Sequence, residues 1–139
     1  MKILILCTGN SCRSQIAHGF LQSFNKNIEV HSAGTSPGTE VNTRAIRVMS
    51  EAGIDIRHHY PKSVDIYLND EWDYVITVCD NAKETCPVFT GKVKHQFHFS
   101  FEDPSKITGT EEFIMNEFRR VRDLIKGEFR KFYERNLKI

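Results

Sequence analysis

The sequence contains no apolar run of about 18 residues, the length that a membrane-spanning helix needs. Its N-terminal apolar stretch, residues 1–6, is too short for a signal peptide, and no small-residue cleavage site follows it. The formal net charge is only +1, so no excess of one sign predicts a nucleic-acid or membrane surface. Internal repeats and low-complexity tracts are absent as well. We therefore expect one domain, residues 1–139, located in the cytoplasm.

Cysteine is scarce, with four residues at Cys7, Cys12, Cys79 and Cys86. In a reducing cytoplasm, structural disulfides are unusual. Three chemical explanations remain for these thiols: inert core residues, metal ligands, or redox-active and nucleophilic groups. The hydrophobic fraction of 40% is enough for a core that needs neither disulfides nor a metal, so the core alone does not require these cysteines.

Short apolar runs alternate with amphipathic segments, which predicts an α/β fold. We expect a three-layer arrangement in which a four-stranded parallel sheet is flanked by helices on both faces. The predicted strands are 3–6, 28–31, 74–78 and 94–99, the last with His95, Phe97 and Phe99 on one side. Ligands bind beyond the carboxyl ends of such strands, and both Cys7 and Cys79 fall there.

The predicted helices begin with one that starts near residue 11 and ends near 24. A second helix is capped by Asn42 and stopped by Gly53, and a short helical piece covers 63–68. A Thr108-x-x-Glu111 capping box predicts the start of a long terminal helix. Its apolar stripe consists of Ile114, Phe118, Val121, Ile125, Phe129 and Phe132.

The segment CTGNSCRS, residues 7–14, places a thiol and an arginine around a short polar loop at the end of the first strand. If a helix starts there, the loop directs several backbone N–H groups inward, and such a nest binds a tetrahedral oxyanion. Arg13 can hold two anion oxygens with its planar guanidinium, and the same field favours a nucleophilic Cys7 thiolate. The predicted oxyanion-binding loop comprises Thr8, Gly9, Asn10, Ser11, Cys12 and Arg13.

Other residues near this loop have less specific roles. Ser14 is placed to donate to the thiolate, Asn10 to brace the loop, and Cys12 to pack on the first helical turn. Asp103 offers an acid that can protonate a leaving oxygen, although Asp before Pro104 is also a common turn residue. The plainer interpretation makes Cys7 a buried strand cysteine, but the strand, loop and helix around it favour catalysis.

Together these motifs resemble the low-molecular-weight protein tyrosine phosphatase fold family, and within it the thioredoxin-coupled arsenate reductases. The resemblance runs over nearly the whole chain. It rests on CTGNSCRS, His31-Ser32-Ala33-Gly34, the strand ending at Cys79, Cys86-Pro87, Glu102-Asp103-Pro104 and Arg119-Arg120-Val121-Arg122-Asp123. It implies that Asn10, Ser14 and Ser32 support the loop or the thiolate, and that no cofactor is needed.

The resemblance also implies that three thiols reduce arsenate to arsenite in sequence. Cys7 attacks arsenate while Arg13 holds the oxyanion and Asp103 helps water to leave. Cys79 then attacks the Cys7 sulfur, and Cys86 attacks Cys79 to leave a Cys79–Cys86 disulfide that thioredoxin reduces. The polar residues between the last two cysteines are expected to rearrange, since thiol exchange requires that reach.

The sequence departs from the family pattern in two places. Reductases of this type often hold potassium near the loop through an acidic residue and a Thr-Ser-Asp segment, which correspond here to His18 and Tyr60-Pro61-Lys62. The Lys62 ammonium can occupy the cation position, so we predict no potassium requirement and no metal. A Trp-Gly-Phe often found before Asp-Asp-Pro is Phe99-Ser100-Phe101 here, which affects the substrate pocket.

Three alternatives stay open. A phosphatase acting on phosphotyrosine or a small phosphate ester would use Cys7, Arg13 and Asp103 and leave the other thiols idle, although Ser105-Lys106 replaces the adjacent tyrosines common in that branch. A four-thiol zinc module is disfavoured because C-x4-C and C-x6-C are not the tight spacings usual for zinc. An oxyanion sensor would bind arsenate without thiol oxidation.

The expected partners follow from the arsenate reductase interpretation. They are arsenate, with phosphate or sulfate as competing oxyanions, and thioredoxin as the reductant. No nucleic acid or membrane is expected, and the chain is expected to be a monomer. The histidines at 58, 59, 95 and 98 show no spacing that predicts a metal site, so we expect them to pack at or near the surface.

Overall fold

In the computed structural model of this chain, residues 1–80 and 86–138 are described. Four parallel strands form one sheet in the order β2-β1-β3-β4. They are β1 (Lys2–Cys7), β2 (Glu29–Gly34), β3 (Glu71–Thr77) and β4 (Lys92–His98). The helices are α1 (Arg13–Phe24), α2 (Thr43–Glu51) and α3 (Glu111–Asn136), with 3-10 helices at Val64–Tyr67 and Pro104–Lys106. The predicted α/β fold with a four-stranded parallel sheet is therefore confirmed.

The central strand β1 is buried on both faces, which explains why its sequence is continuously apolar rather than alternating. Ile3 and Ile5 face the core that the sheet shares with the three α-helices. Leu4 and Leu6 face the second core, which is covered by the 3-10 helix Val64–Tyr67 and by Phe89. Burial on both sides fixes the end of β1, and with it the position of the loop that follows.

The second helix is capped as predicted. The side-chain oxygen of Asn42 accepts hydrogen bonds from the N–H groups of Arg44 (2.8 Å) and Ala45 (3.2 Å). Gly53 follows the end of the helix with a φ of 80°, a conformation that favours glycine. The sequence signals at both ends of α2 are therefore confirmed.

The predicted capping box at Thr108 is wrong. Gly109 has a φ of 139°, which is incompatible with a helix already under way at that residue. The cap is Thr110 instead, and its hydroxyl accepts a hydrogen bond from the Phe113 N–H at 3.1 Å. Glu111 is thus the first residue of the helix rather than the third, and the box motif was a coincidence of spacing.

The terminal helix packs its predicted stripe against the sheet. All six stripe residues are buried, and aromatic rings join the helix to β4 and the residue after it. The Phe97 and Phe132 ring centres lie 5.2 Å apart, and those of Phe99 and Phe129 lie 5.6 Å apart. No helix in the two described ranges has both the length and the apolar character that a membrane span needs.

Gly34 provides a test of how closely the sheet edge approaches the loop after β1. A Cβ atom at this position would collide with the Thr8 carbonyl oxygen, which is backbone and cannot rotate away. We expect Gly34→Ala to lower the free energy of unfolding by about 1–3 kcal/mol, measured by chemical denaturation.

Gly127→Ala is the matched control for this substitution. No atom lies within 4 Å of the added methyl group in α3, so alanine should gain about 0.5–1 kcal/mol through its better helix propensity. A Gly34→Ala protein as stable as the wild type would contradict the close approach.

Candidate active site

The loop between β1 and α1 is held on its outer side by the segment 36–42, whose N–H groups donate to loop carbonyl oxygens. The bonds are Ser36 to Thr8 (2.9 Å), Gly38 to Gly9 (2.9 Å) and Asn42 to Ser11 (2.7 Å). In a trans peptide the C=O and the following N–H point in opposite directions. The N–H groups of Gly9, Asn10 and Cys12 therefore face the inside of the loop, where such groups at a helix start bind anions.

The Asn10 side chain stabilises this loop through hydrogen bonds. Its φ is 51°, a left-handed conformation that asparagine tolerates better than most residues, and its side chain is fully buried. The amide nitrogen donates to the Ser14 hydroxyl at 2.8 Å, and the amide oxygen accepts from the Lys62 N–H at 2.9 Å. Asn10 thus connects the loop both to α1 and to the chain around residue 62.

Cys7, Arg13 and Asp103, which the sequence analysis singled out, line one cavity of about 420 Å³. Cys7 is buried at the end of β1, and Arg13 is the first residue of α1 with its side chain only 4% exposed. One Arg13 terminal nitrogen donates to the Phe101 carbonyl at 3.1 Å, and the other lies 3.5 Å from Asp103 Oδ2. The other lining residues are Thr8, Gly9, Ser11, Cys12 and Lys106.

A larger open cavity, of about 750 Å³, lies beside α2. It is lined by no cysteine, so it offers no nucleophilic thiol. The smaller cavity is the one that joins a thiol, an anion-binding loop and a carboxylate, and we take it as the candidate active site.

Asp103 has the turn role that its sequence context suggested, and its carboxylate also lines the cavity. Its Oδ1 accepts hydrogen bonds from the Ser105 N–H at 3.0 Å and from the Ser105 hydroxyl at 2.6 Å, which caps the 3-10 helix Pro104–Lys106. Its Oδ2 faces Arg13. The turn therefore holds the carboxylate at the mouth of the cavity, with one oxygen engaged and the other near the guanidinium.

Lys106 is a cavity residue that the sequence analysis did not select. It ends the same 3-10 helix that Asp103 caps, and this single turn brings both side chains to the cavity. With Arg13, it gives the cavity two cationic groups against one carboxylate, a balance that favours a dianion. The sequence did offer one sign of this, because Lys106 follows Asp103 by three residues, which is one turn of a 3-10 helix.

Cys12 lies immediately before α1, at its N-cap, rather than on the first helical turn as predicted. Burial raises the pKa of Cys12 far above its ordinary value, and the negative charge of Asp103 raises it further. Cys12 therefore stays protonated at neutral pH. It is a packing residue that also forms part of the cavity wall.

The second thiol pair lies at the neighbouring strand end. The Val78 N–H donates to the Leu6 carbonyl at 3.0 Å, so the chain after β3 still runs beside the end of β1. Cys79 follows, fully buried, and forms a disulfide with Cys86 across a Cα–Cα distance of 5.7 Å, while Cys7 is free. The disulfide that the family resemblance implied is thus present. The rearranging segment, 81–85, lies outside the described residues.

A polar cluster around the buried Gln15 also supports the loop. The Gln15 amide donates to the carbonyl oxygens of Asn10 (3.0 Å) and Tyr60 (3.2 Å), and its oxygen accepts from His59 Nδ1 at 2.9 Å. The sequence analysis missed Gln15, because its position inside a helix gave no sign of these partners. Ser32, expected to support the loop or thiolate, has its hydroxyl 3.0 Å from His18 Nδ1.

The residues that the family resemblance aligned with a potassium site, His18 and residues 60–62, lie in this cluster. Potassium prefers oxygen ligands, whereas this cluster contributes the imidazoles of His18 and His59, with ring centres 4.5 Å apart, and the Lys62 ammonium. Lys62 Nζ donates to the Tyr60 carbonyl at 3.0 Å, and burial lowers the pKa of Lys62. These residues do not fit a potassium ion.

The family model described as low molecular weight phosphotyrosine protein phosphatase matches residues 2–138. A protein named arsenate reductase from Shouchella clausii is 41% identical over 133 residues, which cover 95% of this chain and 94% of that protein. The arsenate reductase of Bacillus subtilis is 38% identical with the same coverage. A solved structure described as an arsenate reductase in the phosphate binding state has a TM-score of 0.80, 28% identity, and covers 96% of this chain and 97% of its own.

Two half-buried histidines, His18 and His59, predict a pH dependence of stability. Burial, followed by the neighbouring positive groups His59 and Lys62, lowers the pKa of His18 to about 3. Burial and the neighbouring His58 lower the pKa of His59 to about 4. Below about pH 6.5 the unfolded chain takes up protons that the folded chain refuses, so stability falls as the pH drops from 6.5 toward 4.

We expect His18→Asn to flatten this dependence by up to about 1.4 kcal/mol per pH unit, the value for one proton. The measurement is the free energy of unfolding by urea at several values between pH 7 and pH 4.5. His95→Asn, at an exposed position on β4, is the control and should keep the wild-type slope. If the free energy of unfolding changes with pH equally in the wild type, His18→Asn and His95→Asn, His18 is not the source of the pH dependence.

Proposed function

The chain belongs to the low-molecular-weight phosphotyrosine protein phosphatase family, and we propose that it reduces arsenate to arsenite through Cys7, Cys79 and Cys86. The observation that carries the proposal is the Cys79–Cys86 disulfide beside a free Cys7. A phosphatase would need only the thiol in the loop, whereas a reductase must collect two electrons from thiols. The near-full-length relatives named arsenate reductase support the same choice.

In the first step, arsenate binds in the cavity against the inward N–H groups of the loop. Arg13 and Lys106 add positive charge, so a tetrahedral dianion is favoured over a neutral ester. The Cys7 thiolate attacks arsenic, which forms a sulfur–arsenic bond and breaks one arsenic–oxygen bond. The departing oxygen takes a proton from Asp103 and leaves as water.

In the second step, the Cys79 thiolate attacks the sulfur of Cys7. The sulfur–arsenic bond breaks and its electron pair stays on arsenic, so arsenic(V) becomes arsenic(III) and arsenite leaves. Two thiols are oxidised to a Cys7–Cys79 disulfide, which balances the two electrons gained by arsenic. The hydrogen bond from Val78 to Leu6 supports this step because it keeps the two strand ends adjacent.

In the third step, the Cys86 thiolate attacks Cys79 and expels Cys7 as a thiolate ready for another arsenate. The product is the Cys79–Cys86 disulfide present in the structure. Cys86 is partly exposed, unlike Cys79, which supports attack on this disulfide by the dithiol of thioredoxin. The cycle uses the thiols of one chain and needs no cofactor, so we propose that the protein acts as a monomer. We also propose that residues 1–139 form one domain and that the protein works in the cytoplasm.

The same cavity supports a weak phosphatase side activity. Phosphate is close to arsenate in shape and charge, and Cys7, Arg13 and Asp103 are the groups that phosphoryl transfer through a cysteine requires. This activity would use neither Cys79 nor Cys86. Phosphate and sulfate should therefore compete with arsenate.

The relay predicts how single substitutions affect arsenate-dependent NADPH oxidation with thioredoxin and thioredoxin reductase. The wild type should turn over many times, and Cys86→Ser should not, because the Cys7–Cys79 disulfide would have no internal thiol to resolve it. Asp103→Asn should lower the turnover rate by about a hundredfold, since it removes the proton donor.

Hydrolysis of an aryl phosphate by the same proteins is the comparison that separates the two functions. It should survive in Cys79→Ser and be lost in Cys7→Ser. If the wild type hydrolyses the ester efficiently but shows no arsenate-dependent oxidation, the protein is a phosphatase and the arsenate proposal fails.

A further inference from the structure

We propose that Cys79, Cys86 and His98 bind one Zn²⁺ ion when the disulfide is reduced. The two sulfur atoms and one ring nitrogen of His98 all lie within 4.8 Å of one another. Among residues 1–80 and 86–138, no other group of three potential metal ligands lies this close together. The site is separate from the oxyanion loop, and its binding reaction requires no arsenate.

The donor set suits zinc. Two thiolates and one imidazole are ligands that zinc prefers, and ligands on a zinc tetrahedron are separated by about 3.4–3.8 Å. The separations between the sulfurs and the His98 nitrogen thus exceed this geometry by no more than about an ångström, whereas the two sulfurs, joined in the disulfide, are closer than it and move apart when the bond is reduced. Disulfide sulfurs are not thiolates, so the ion can bind only after two electrons from a dithiol such as thioredoxin have opened the bond.

The His98 ring is positioned before any ion arrives. Thr77 and His98 are register partners on β3 and β4, and the Thr77 hydroxyl lies 2.6 Å from His98 Nδ1. A polar partner on one ring nitrogen is the usual arrangement around a metal-binding histidine, because it fixes the ring orientation. The parallel sheet therefore supplies both a ligand and its orienting group at the strand ends.

The site has a path to solvent and an open coordination position. Cys79 is buried, Cys86 is partly exposed and His98 is exposed, so an ion can enter from the side of β4. Three protein ligands leave the fourth position for water. Such a site exchanges its metal, in contrast to a closed structural site with four protein ligands.

Zinc binding and disulfide formation exclude one another because they use the same sulfur electron pairs. An ion on the reduced pair would therefore withhold Cys79 from its attack on Cys7, and the proposed relay would stop until the zinc was removed. The four-thiol zinc module considered from sequence differs from this site. Here two cysteines combine with a histidine from another strand, which cysteine spacing does not reveal.

The test is a titration of the reduced full-length chain with Zn²⁺ alone, under anaerobic conditions and in competition with a chromogenic chelator. We expect one ion per reduced chain and none per oxidised chain. His98→Gln and Cys86→Ser should weaken binding by at least about tenfold, the lower end of the loss seen even for groups behind the ligands. Thr77→Val, which keeps all ligands, should weaken it by about 10–100-fold.

His95→Gln is the matched control, since His95 is exposed on the same strand but outside the group of three. It should bind zinc like the wild type, and circular dichroism should show all variants folded. Binding that His98→Gln leaves unchanged, binding that Cys7→Ser abolishes, or no binding to the reduced wild type would each overturn the proposal. Because no arsenate is present, these outcomes are independent of whether the chain is a reductase.

Discussion

Backbone hydrogen bonds that hold the carbonyl groups of Thr8, Gly9 and Ser11 from outside the loop are the constraint on which the candidate active site depends. Because each peptide is planar, fixing the C=O on one side turns the next N–H toward the other. The N–H groups that face the inside of the loop are thus oriented by the backbone itself. Arg13 is the first residue of α1 and Cys7 is the last residue of β1. Regular secondary structure therefore fixes the backbone from which both side chains extend.

The parallel sheet determines which groups meet at the site. Its carboxyl edge brings together the ends of β1, β3 and β4, and these ends carry Cys7, Cys79 and His98 in turn. Cys7 lies at the start of the loop, whereas the Cys79–Cys86 disulfide lies beside it at the next strand end. This separation lets one family fold keep the phosphatase cavity and add redox chemistry without rebuilding the loop.

Much of this arrangement was predictable from sequence because the signals are local. A continuous apolar run predicted the buried β1, and the spacing of Cys7 and Arg13 across a polar loop predicted that both would lie at one site, the cavity that they line. The exceptions depend on tertiary placement. In the sequence, Gln15 cannot be distinguished from a surface residue of a helix, because the carbonyl groups that it contacts are not known. His98 is identified as a potential metal ligand only by the cysteines that the fold brings near it. The error at Thr108 has a local cause, since Gly109 adopts a conformation that its sequence position does not reveal.

The most direct test of the account is a single turnover of Cys86→Ser with one equivalent of arsenate and no external reductant, followed by mass-spectrometric mapping of disulfides. The account predicts one equivalent of arsenite and a Cys7–Cys79 disulfide, because the relay should stop after its second step. The wild type treated in the same way should yield the Cys79–Cys86 disulfide instead. Arsenite produced without a disulfide that includes Cys7, or arsenate left unchanged by the reduced protein, would contradict the thiol relay.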